Sequence, residues 1–423
     1  MPKPMNIKAA IKEANRCLLC TDAPCSRDCP AGTDPAKFIR QIKFMNYKGA
    51  ARTVRNNNVL GSVCAHVCPV ERLCEKNCSV AKLGCAIDIR HLQQFAYEYG
   101  IANGLEPLKK SLKNRGKVAV IGAGPAGMGC AAELAKMDYD VTIFEKEKQG
   151  GGVPRTIIPE YRLPKAAIDY DMKNLLDLGI KIKYGQKIGP EDGIKKLLSK
   201  GFKAVFVGTG LDQALEVAMY KGYSNAVNYV DFLRDMKKDP RGVKNKIIAV
   251  IGGGSVAMDA AVSAATYGAK KVYLIARAGL RDLSAGEEEI RLGHETHVIF
   301  KPGCQVTGVI GGKNKILGLC GEELEKDKSN VYKPVPGTNF NINVDIVVQA
   351  IGTVSGNEAR KFASGLKTDE RGSIIVNKRY ETSVPGIYAA GDIVNGGDSV
   401  VEAVGEGKKA AAQIDSFINK HHA

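Results

Sequence analysis

The sequence predicts an α/β protein with an all-α N-terminal domain and two parallel-sheet units, the second inserted in the first. Three observations predict it. Nine of the twelve cysteines fall before residue 86, a strand, glycine loop, helix, strand pattern occurs twice, and a short apolar strand ending in an acid returns near the C-terminus. At 423 residues, 44% hydrophobic and 25% charged, the chain has the composition of several globular domains, which excludes disordered and fibrous classes. No apolar run reaches the ~18 residues of a membrane helix, and Met1-Pro2-Lys3-Pro4 lacks the apolar core of a signal peptide. The expectation is a cytoplasmic protein with no membrane role.

A net charge of +16 raises the question of nucleic acid. Residues 1 to 116 hold 19 basic and 9 acidic residues, a net of +10, so most of the excess lies in the cysteine-rich quarter. Thiolates and cofactor phosphates would cancel part of it, and there is no Trp and no aromatic ladder for stacking bases. No nucleic-acid partner is expected.

The first element is therefore the domain 1 to 116. Asp34 to Asn46 and Lys48 to Asn57 carry helical apolar spacing, with Thr33 or Asp34 as a cap for the first. Its cysteines are spaced C-x2-C-x4-C-x3-C-P (Cys17, Cys20, Cys25, Cys29) and C-x3-C-x5-C-x3-C (Cys64, Cys68, Cys74, Cys78), followed by Cys85. Disulfides do not suit a reducing compartment, and structural zinc favours two CxxC knuckles where only Cys17 to Cys20 has that spacing. Iron-sulfur clusters fit better, because in two-cluster ferredoxin runs the fourth Cys, followed by Pro, ligates the other cluster, and Cys29-Pro30 repeats that arrangement. Gly100 to Gly116, with Lys109, Lys110, Lys113 and Arg115, reads as a linker.

Two Rossmann-like dinucleotide-binding domains follow. In the first, the strand Val118 to Ile121 runs into Gly122-Ala123-Gly124-Pro125-Ala126-Gly127, a helix to Met137 and a strand Asp140 to Phe144 ending at Glu145. Such glycines permit a tight turn, approach of a pyrophosphate and close helix packing, and a carboxylate at Glu145 can accept from ribose hydroxyls. Ile247 to Ile251 repeats the scheme with Gly252-Gly253-Gly254-Ser255-Val256-Ala257, a helix to Tyr267 and a strand Lys271 to Ala276. Ala204 to Val207, leading into Gly208-Thr209-Gly210, and Asp345 to Ala350, leading into Ile351-Gly352-Thr353, read as the exit from the first domain and the return to it. The expected domains are 117 to 240 with 347 to 423, and 241 to 346 inserted between them.

Near the C-terminus, Gly386 to Asp392 is a strand ending in an acid, followed by Gly396-Gly397 and an apolar helix from Ser399. This resembles the second flavin motif of two-dinucleotide flavoproteins, in which the acid matching Asp392 binds the ribitol or pyrophosphate and the helix start, here near Val400, faces the flavin's pyrimidine edge. A helix dipole there stabilises the negative charge of a reduced flavin. The three later cysteines, Cys130, Cys304 and Cys320, are isolated, so a dithiol reductase mechanism has no residues to use. Cys304 and Cys320 read as buried hydrophobes.

In this order the pieces resemble, nearly end to end, the small subunits of bacterial NAD-dependent dihydropyrimidine dehydrogenases and the N-terminal half of the single-chain eukaryotic enzyme. The stretches that carry the likeness are Cys17 to Cys25, Asn58-Val59-Leu60-Gly61 running into the second Cys group, Leu92-Gln93-Gln94-Phe95, Ile158 to Pro164, and Tyr388 to Asp392. The resemblance implies two [4Fe-4S] clusters, one on Cys17, Cys20, Cys25 and Cys78 and the other on Cys29, Cys68, Cys74 and Gln93, with Cys64 and Cys85 as alternative fourth ligands. It assigns FAD to Gly122 to Ala126, Glu145, Gly151, Gly152, Arg162, Asp392 and Val400. The nicotinamide cofactor falls to Gly253 to Val256, Arg277 and Ala350-Ile351-Gly352. Relatives that use NADPH carry further basic residues where this chain has Ala278 and Ser284, so NADH is expected, although Arg281 could compensate for NADPH.

The implied function moves electrons from NADH through FAD and the clusters to a separate FMN-containing barrel subunit, in a hetero-oligomer that reduces uracil or thymine. The chain ending at Ala423 leaves no room for that barrel. No catalytic acid or base is expected, because hydride transfer needs orientation and electrostatics. The alternatives are a small subunit of glutamate synthase or a bifurcating flavoprotein, and a redox sensor without turnover.

Overall fold

The computed structural model describes residues 5–110, 112–189, 191–211, 213–356 and 365–421. It divides into two units. The first comprises Met1–Arg155, Tyr161–Asp212 and Val354–Ala423, and the second Thr156–Glu160 and Gln213–Thr353.

The cysteine-rich part of the first unit is helical: α1 (Ile7–Asn15), α2 (Pro24–Arg27), α3 (Pro35–Lys43), α4 (Tyr47–Asn57), α5 (Gly61–Val67) and α6 (Ile89–Ala102). The expected cap Asp34 accepts from the Lys37 N–H in the left-handed region (φ 65), and Pro35 at the first helical position needs no hydrogen bond. The core is Ala10, Ala14, Phe38, Ile39, Ile42, Val54, Ile87, Leu92 and Phe95, with Cys74 and Cys78 in it and Cys17, Cys25 and Cys68 packed against it. Helix α6 extends three residues into the expected linker, and Glu106 is tied back by Arg52 at 2.9 Å.

The same unit holds a five-stranded parallel sheet. Its strands are β1 (Lys117–Ile121), β2 (Asp140–Phe144), β3 (Lys181–Lys183), β4 (Phe202–Val207) and the late strand Ile387–Ala389, in the order late strand, β4, β1, β2, β3. Chain order reverses at β1, so the crevice beyond its C-terminal end is where a ligand fits. Helix α7 (Pro125–Lys136) leaves that end, and short α8 (Val153–Thr156), α9 (Lys165–Asp177) and α10 (Glu191–Ser199) follow. The chain closes with a turn of helix at Asp392–Asn395 and the helix Val400–His421, which lies along α7. Both helices are rich in Ala and Gly, and this lets their backbones approach; a Cβ on Gly407 would run into the Ala126 carbonyl oxygen.

In the second unit, β5 (Gln213–Ala214) precedes a parallel sheet of β6 (Ala226–Asn228), β7 (Ile247–Ile251), β8 (Lys271–Ala276), β9 (Ile299–Pro302) and β14 (Ile346–Gln349), ordered β6, β14, β7, β8, β9. Its helices are α11 (Tyr229–Lys238), α12 (Ser255–Thr266) and α13 (Glu287–Glu295). The unit is wider than residues 241 to 346, because β6 pairs with β14 in register Val348 to Val227 and α11 packs beside α12. An antiparallel sheet of β10 (Cys304–Gly312), β11 (Lys315–Lys326), β12 (Tyr332–Pro334) and β13 (Phe340–Asn343) interrupts the parallel one, and the sequence reading was silent on it. Cys304 is buried there, whereas Cys320 is only half-buried, a correction: β11 belongs to the antiparallel sheet, paired with β10 and β13, and not to the parallel core.

Candidate functional site

Gly122 follows β1 in the left-handed region (φ 99), and a Cβ there would stand 2.5 Å from the Gly208 carbonyl oxygen. Gly124 then turns the chain into α7, whose N-terminus no side chain caps. Glu145, 7% exposed at the end of β2, accepts the Ala123 N–H at 2.7 Å and the Glu147 N–H at 2.9 Å. It therefore holds the glycine loop in shape. Gly151 donates to the Ala123 carbonyl at 2.8 Å, which seats Gly151-Gly152 against the same loop. Arg162 lies half-buried in the turn before α9.

Asp392 begins the turn after the late strand, and burial pushes its carboxyl above the usual range. Glu406, on the last helix, accepts the Gly391 N–H at 2.7 Å and an Asn395 amide N–H at 3.2 Å, so it braces that turn. The sequence reading missed this role, since nothing in a Glu within an apolar helix marks it. Val400 opens that helix. The first unit thus brings Gly122 to Gly127, Glu145, Gly151, Gly152 and Asp392 to one end of its sheet; Gly391 touches Ala126, where a Cβ would stand 2.8 Å from that side chain. An uncapped helix start, a backbone cradle closed to side chains and two carboxylates fit an adenine dinucleotide flavin.

In the second unit, Gly252 (φ 143) has no room for a Cβ against the Ala350 carbonyl oxygen, and Ala350 itself donates to Ile251 at 2.8 Å. The Ala350-Ile351-Gly352 turn and the loop Gly252 to Val256 therefore meet, with Ala257 buried in α12, again a helix without a side-chain cap. Arg277 is exposed at the end of β8 and Arg281 in the following turn. Neither makes a hydrogen bond or ion pair among the described residues, and Asp282 is occupied by Lys326 at 2.7 Å and the Tyr332 hydroxyl at 2.5 Å.

The thiols fall into two groups. Cys17, Cys20, Cys25 and Cys78 line one small apolar pocket with Leu18, Ile39, Val80, Ile87 and Ile89. Burial, then the neighbouring Cys78 and Cys17 sulfurs, push the Cys25 thiol up to about 11. Cys29, Cys64, Cys68 and Cys74 form the other group: burial raises Cys68 most, and Cys64, Cys74 and Cys29 raise it further. Cys85 is exposed. Cys29 thus leaves the company of its sequence neighbours, as the Cys-Pro spacing implies.

Gln93, 8% exposed on α6, donates its amide N–H to the Gly61 carbonyl at 2.7 Å, which leaves only its oxygen for a metal. Cys64 lies on α5 beside Cys29, and the side chain of Asn58 hydrogen-bonds to it. Gln93 thus bonds the first residue of α5, the helix that carries the alternative ligand Cys64. Among the described residues no three Cys, His, Asp or Glu converge tightly enough for a single metal ion. The wider corners of a cubane cluster are what four such thiols fit.

A second feature, after Glu406, carries no sequence signal. Asp171 on α9 is fully buried and accepts the Val63 N–H at 2.9 Å and the Ser62 N–H at 3.3 Å, capping α5, the helix that carries Cys64. Burial raises its carboxyl well above the usual range, and those two N–H groups oppose the rise.

Comparison with known proteins bears on the family and the fold. The family described as Pyridine nucleotide-disulphide oxidoreductase matches residues 116–407, and that described as Dihydropyrimidine dehydrogenase domain II, 4Fe-4S cluster, matches residues 1–105. The chain is 38% identical over 412 residues to the NAD-dependent dihydropyrimidine dehydrogenase subunit PreT of Escherichia coli K12, covering 97% of this chain and 94% of that protein. It is 35% identical to the PreT subunit of Salmonella typhimurium LT2, covering 97% and 95%. The NADP(+)-dependent formate dehydrogenase subunit beta of Moorella thermoacetica is 33% identical, over 94% of this chain and 60% of that one. Among solved structures, the T. acidophilum thioredoxin reductase superposes with a TM-score of 0.54 at 24% identity, over 71% of this chain and 97% of that chain. FprA of Mycobacterium tuberculosis in complex with NADPH gives 0.60 at 16%, over 72% and 85%. These two likenesses establish the fold. No helix among the described residues is long and apolar enough to cross a membrane.

Proposed function

This chain belongs to the family of NAD-dependent dihydropyrimidine dehydrogenase subunits, flavoprotein oxidoreductases with a 4Fe-4S domain, and on that premise we propose that it is the electron-input subunit of such an enzyme. It accepts hydride from NADH at FAD and passes single electrons through two [4Fe-4S] clusters to an FMN-containing subunit that reduces uracil or thymine. The observation that carries the reading is the seating of the helix Val400–His421. It starts at the flavin-type turn and lies against the Cys29 turn, where a Cβ on Gly405 would collide with the Pro30 carbonyl oxygen.

Bound flavin supplies the conversion of a two-electron hydride into single electrons. The protein's part is orientation: Glu145 fixes the glycine loop, Glu406 fixes the Asp392 turn, and the uncapped start of α7 meets the pyrophosphate. The two thiol groups serve as cluster ligands, with Gln93 or Cys64 completing the second. We place the reaction in the cytoplasm, where twelve free cysteines stay reduced.

Electrons leave most directly from the Cys17 group. Lys43 donates to the Cys17 carbonyl at 3.4 Å, Arg16 bonds the Cys85 and Ala86 carbonyls, and Leu18, Phe44, Met45 and Leu83 are exposed around them. An apolar patch with a basic rim suits an acidic partner face. Purified alone, the chain is expected to oxidise NADH with a dye and to leave uracil and thymine unreduced; adding the FMN subunit should restore pyrimidine reduction, and added salt should lower coupled activity but not dye reduction. Pyrimidine reduction by the isolated chain would overturn the division of labour, and glutamate formation with a glutamate synthase large subunit would favour the alternative.

NADH is the proposed donor, because Ala278 and Ser284 stand where NADPH-using relatives carry cations. Steady-state dye reduction should favour NADH by roughly tenfold to a hundredfold, the ~1 to 3 kcal/mol of a missing bidentate phosphate partner. Arg277 and Arg281, exposed and without a hydrogen bond or ion pair among the described residues, set up the opposite outcome. Equal use of NADPH, lost in Arg277→Ala with NADH use retained, would show that the two arginines together hold a 2′-phosphate.

A further inference from the structure

Lys408 is half-buried on the helix Val400–His421, two turns from the flavin-type motif. Its ammonium donates to the Ala31 carbonyl at 2.7 Å and to the Asn57 carbonyl at 2.6 Å. The first belongs to the turn Cys29-Pro30-Ala31-Gly32, the second to the C-terminal end of α4, where unpaired carbonyls favour a cation. Lys408 Nζ also lies 3.9 Å from where a Gly32 Cβ would be, so it sits directly behind the turn that presents Cys29. That turn is held from its other side as well: the Thr33 N–H points at Cys29 Sγ at 3.4 Å, and Asn57 and Asn58 donate to Thr33 at 3.3 and 3.1 Å. Glu133 on α7 faces the same ammonium at 3.8 Å and also pairs with Lys136 at 2.9 Å, leaving a net positive charge at this corner.

We propose that Lys408 is a positioning residue for the second cluster, fixing the Cys29 turn against the flavin-type domain and raising that cluster's reduction potential with its charge. The proposal rests on Cys29 being a cluster ligand. A fixed positive charge favours the reduced, more negative state of a nearby cluster, and it is screened weakly in a half-buried corner. In the step it assists, one electron leaves the reduced flavin and one oxidised cluster gains it. The net charge of the corner then biases that one-electron equilibrium toward the cluster without touching substrate or nucleotide.

The test is an anaerobic redox titration of the holoprotein followed by electron paramagnetic resonance, with iron and sulfide assayed on each sample. Lys408→Gln, which loses the charge but keeps a donor, should lower the midpoint of one cluster enough to shift its electron equilibrium with the flavin about tenfold, 59 mV for a one-electron couple. The other cluster should be unmoved, and Lys408→Arg should keep the original midpoint. Glu133→Gln, which removes the opposing charge, should raise it, and this variant decides the matter if Lys408→Gln fails to load iron. Unchanged midpoints in iron-replete Lys408→Gln and Glu133→Gln would overturn the proposal. An unmodified chain without four-iron signals would overturn the cluster reading beneath it instead.

Discussion

Cys78→Ser is expected to cost the protein one of two four-iron clusters and almost all of its electron delivery, while NADH oxidation with a dye that accepts from flavin stays within about twofold. Cys78 is the thiol that closes the first group across the longest stretch of chain: Cys17, Cys20 and Cys25 lie in one segment, and Cys78 comes to the same pocket from beyond α5. It is 8% exposed among Val80, Ile87 and Leu92, so solvent cannot substitute as a ligand. Loss of residues that merely support a ligand costs roughly tenfold to a hundredfold, and loss of the ligand itself should exceed that in coupled activity. Iron and sulfide should fall from about eight per FAD toward four. Gln93→Ala and Cys64→Ser, made in parallel, assign the second cluster: the one that alters its spectrum alone marks the fourth ligand. Zinc in place of iron in the unmodified protein, or full iron content in Cys78→Ser, would refute the assignment.

The second large effect belongs to Gly127. A Cβ there would run into the Gly122 carbonyl oxygen and stand 3.3 Å from Val120, and neither backbone nor buried strand can give way. Gly127→Ala should lose on the order of 1 to 3 kcal/mol of stability, as overpacked cores do, and should bind FAD poorly because the displaced loop is the one Glu145 holds. Gly312→Ala, where nothing lies within 4 Å, is the control and should stay within about 0.5 kcal/mol. Thermal unfolding followed by flavin release compares the two. Equal midpoints with full FAD content would show that the loop tolerates the shift.

Gly127 was legible in the chain because its glycine loop is local, whereas Cys78 joined the first group only through the family resemblance. Strands β2, β7 and β8 have the bounds expected of them, since buried parallel strands are short apolar runs punctuated by glycine. Cys29 parting from Cys17, Cys20 and Cys25 was legible in one dipeptide, Cys29-Pro30. What stayed hidden is carried by partners far apart in sequence. Glu145 reads as a ribose acceptor, yet its carboxylate oxygens are taken by loop N–H groups, which only the fold places there. Asp171 and Lys408 look like surface charges in amphipathic helices; their partners are 108 and 377 residues away. The antiparallel sheet β10 to β13 was missed because its strands are half-exposed and rich in Gly and charge, so neither apolar runs nor clean alternation mark them.

The separation between Lys408 and Ala31 also has a meaning in time. Translation at roughly 5 to 20 residues per second puts about 20 to 75 s between the emergence of the Cys29 turn and that of the helix that backs it. Throughout that interval the Ala31 and Asn57 carbonyls have only water to bond, and the thiol-bearing turn is open on the side the last helix will cover.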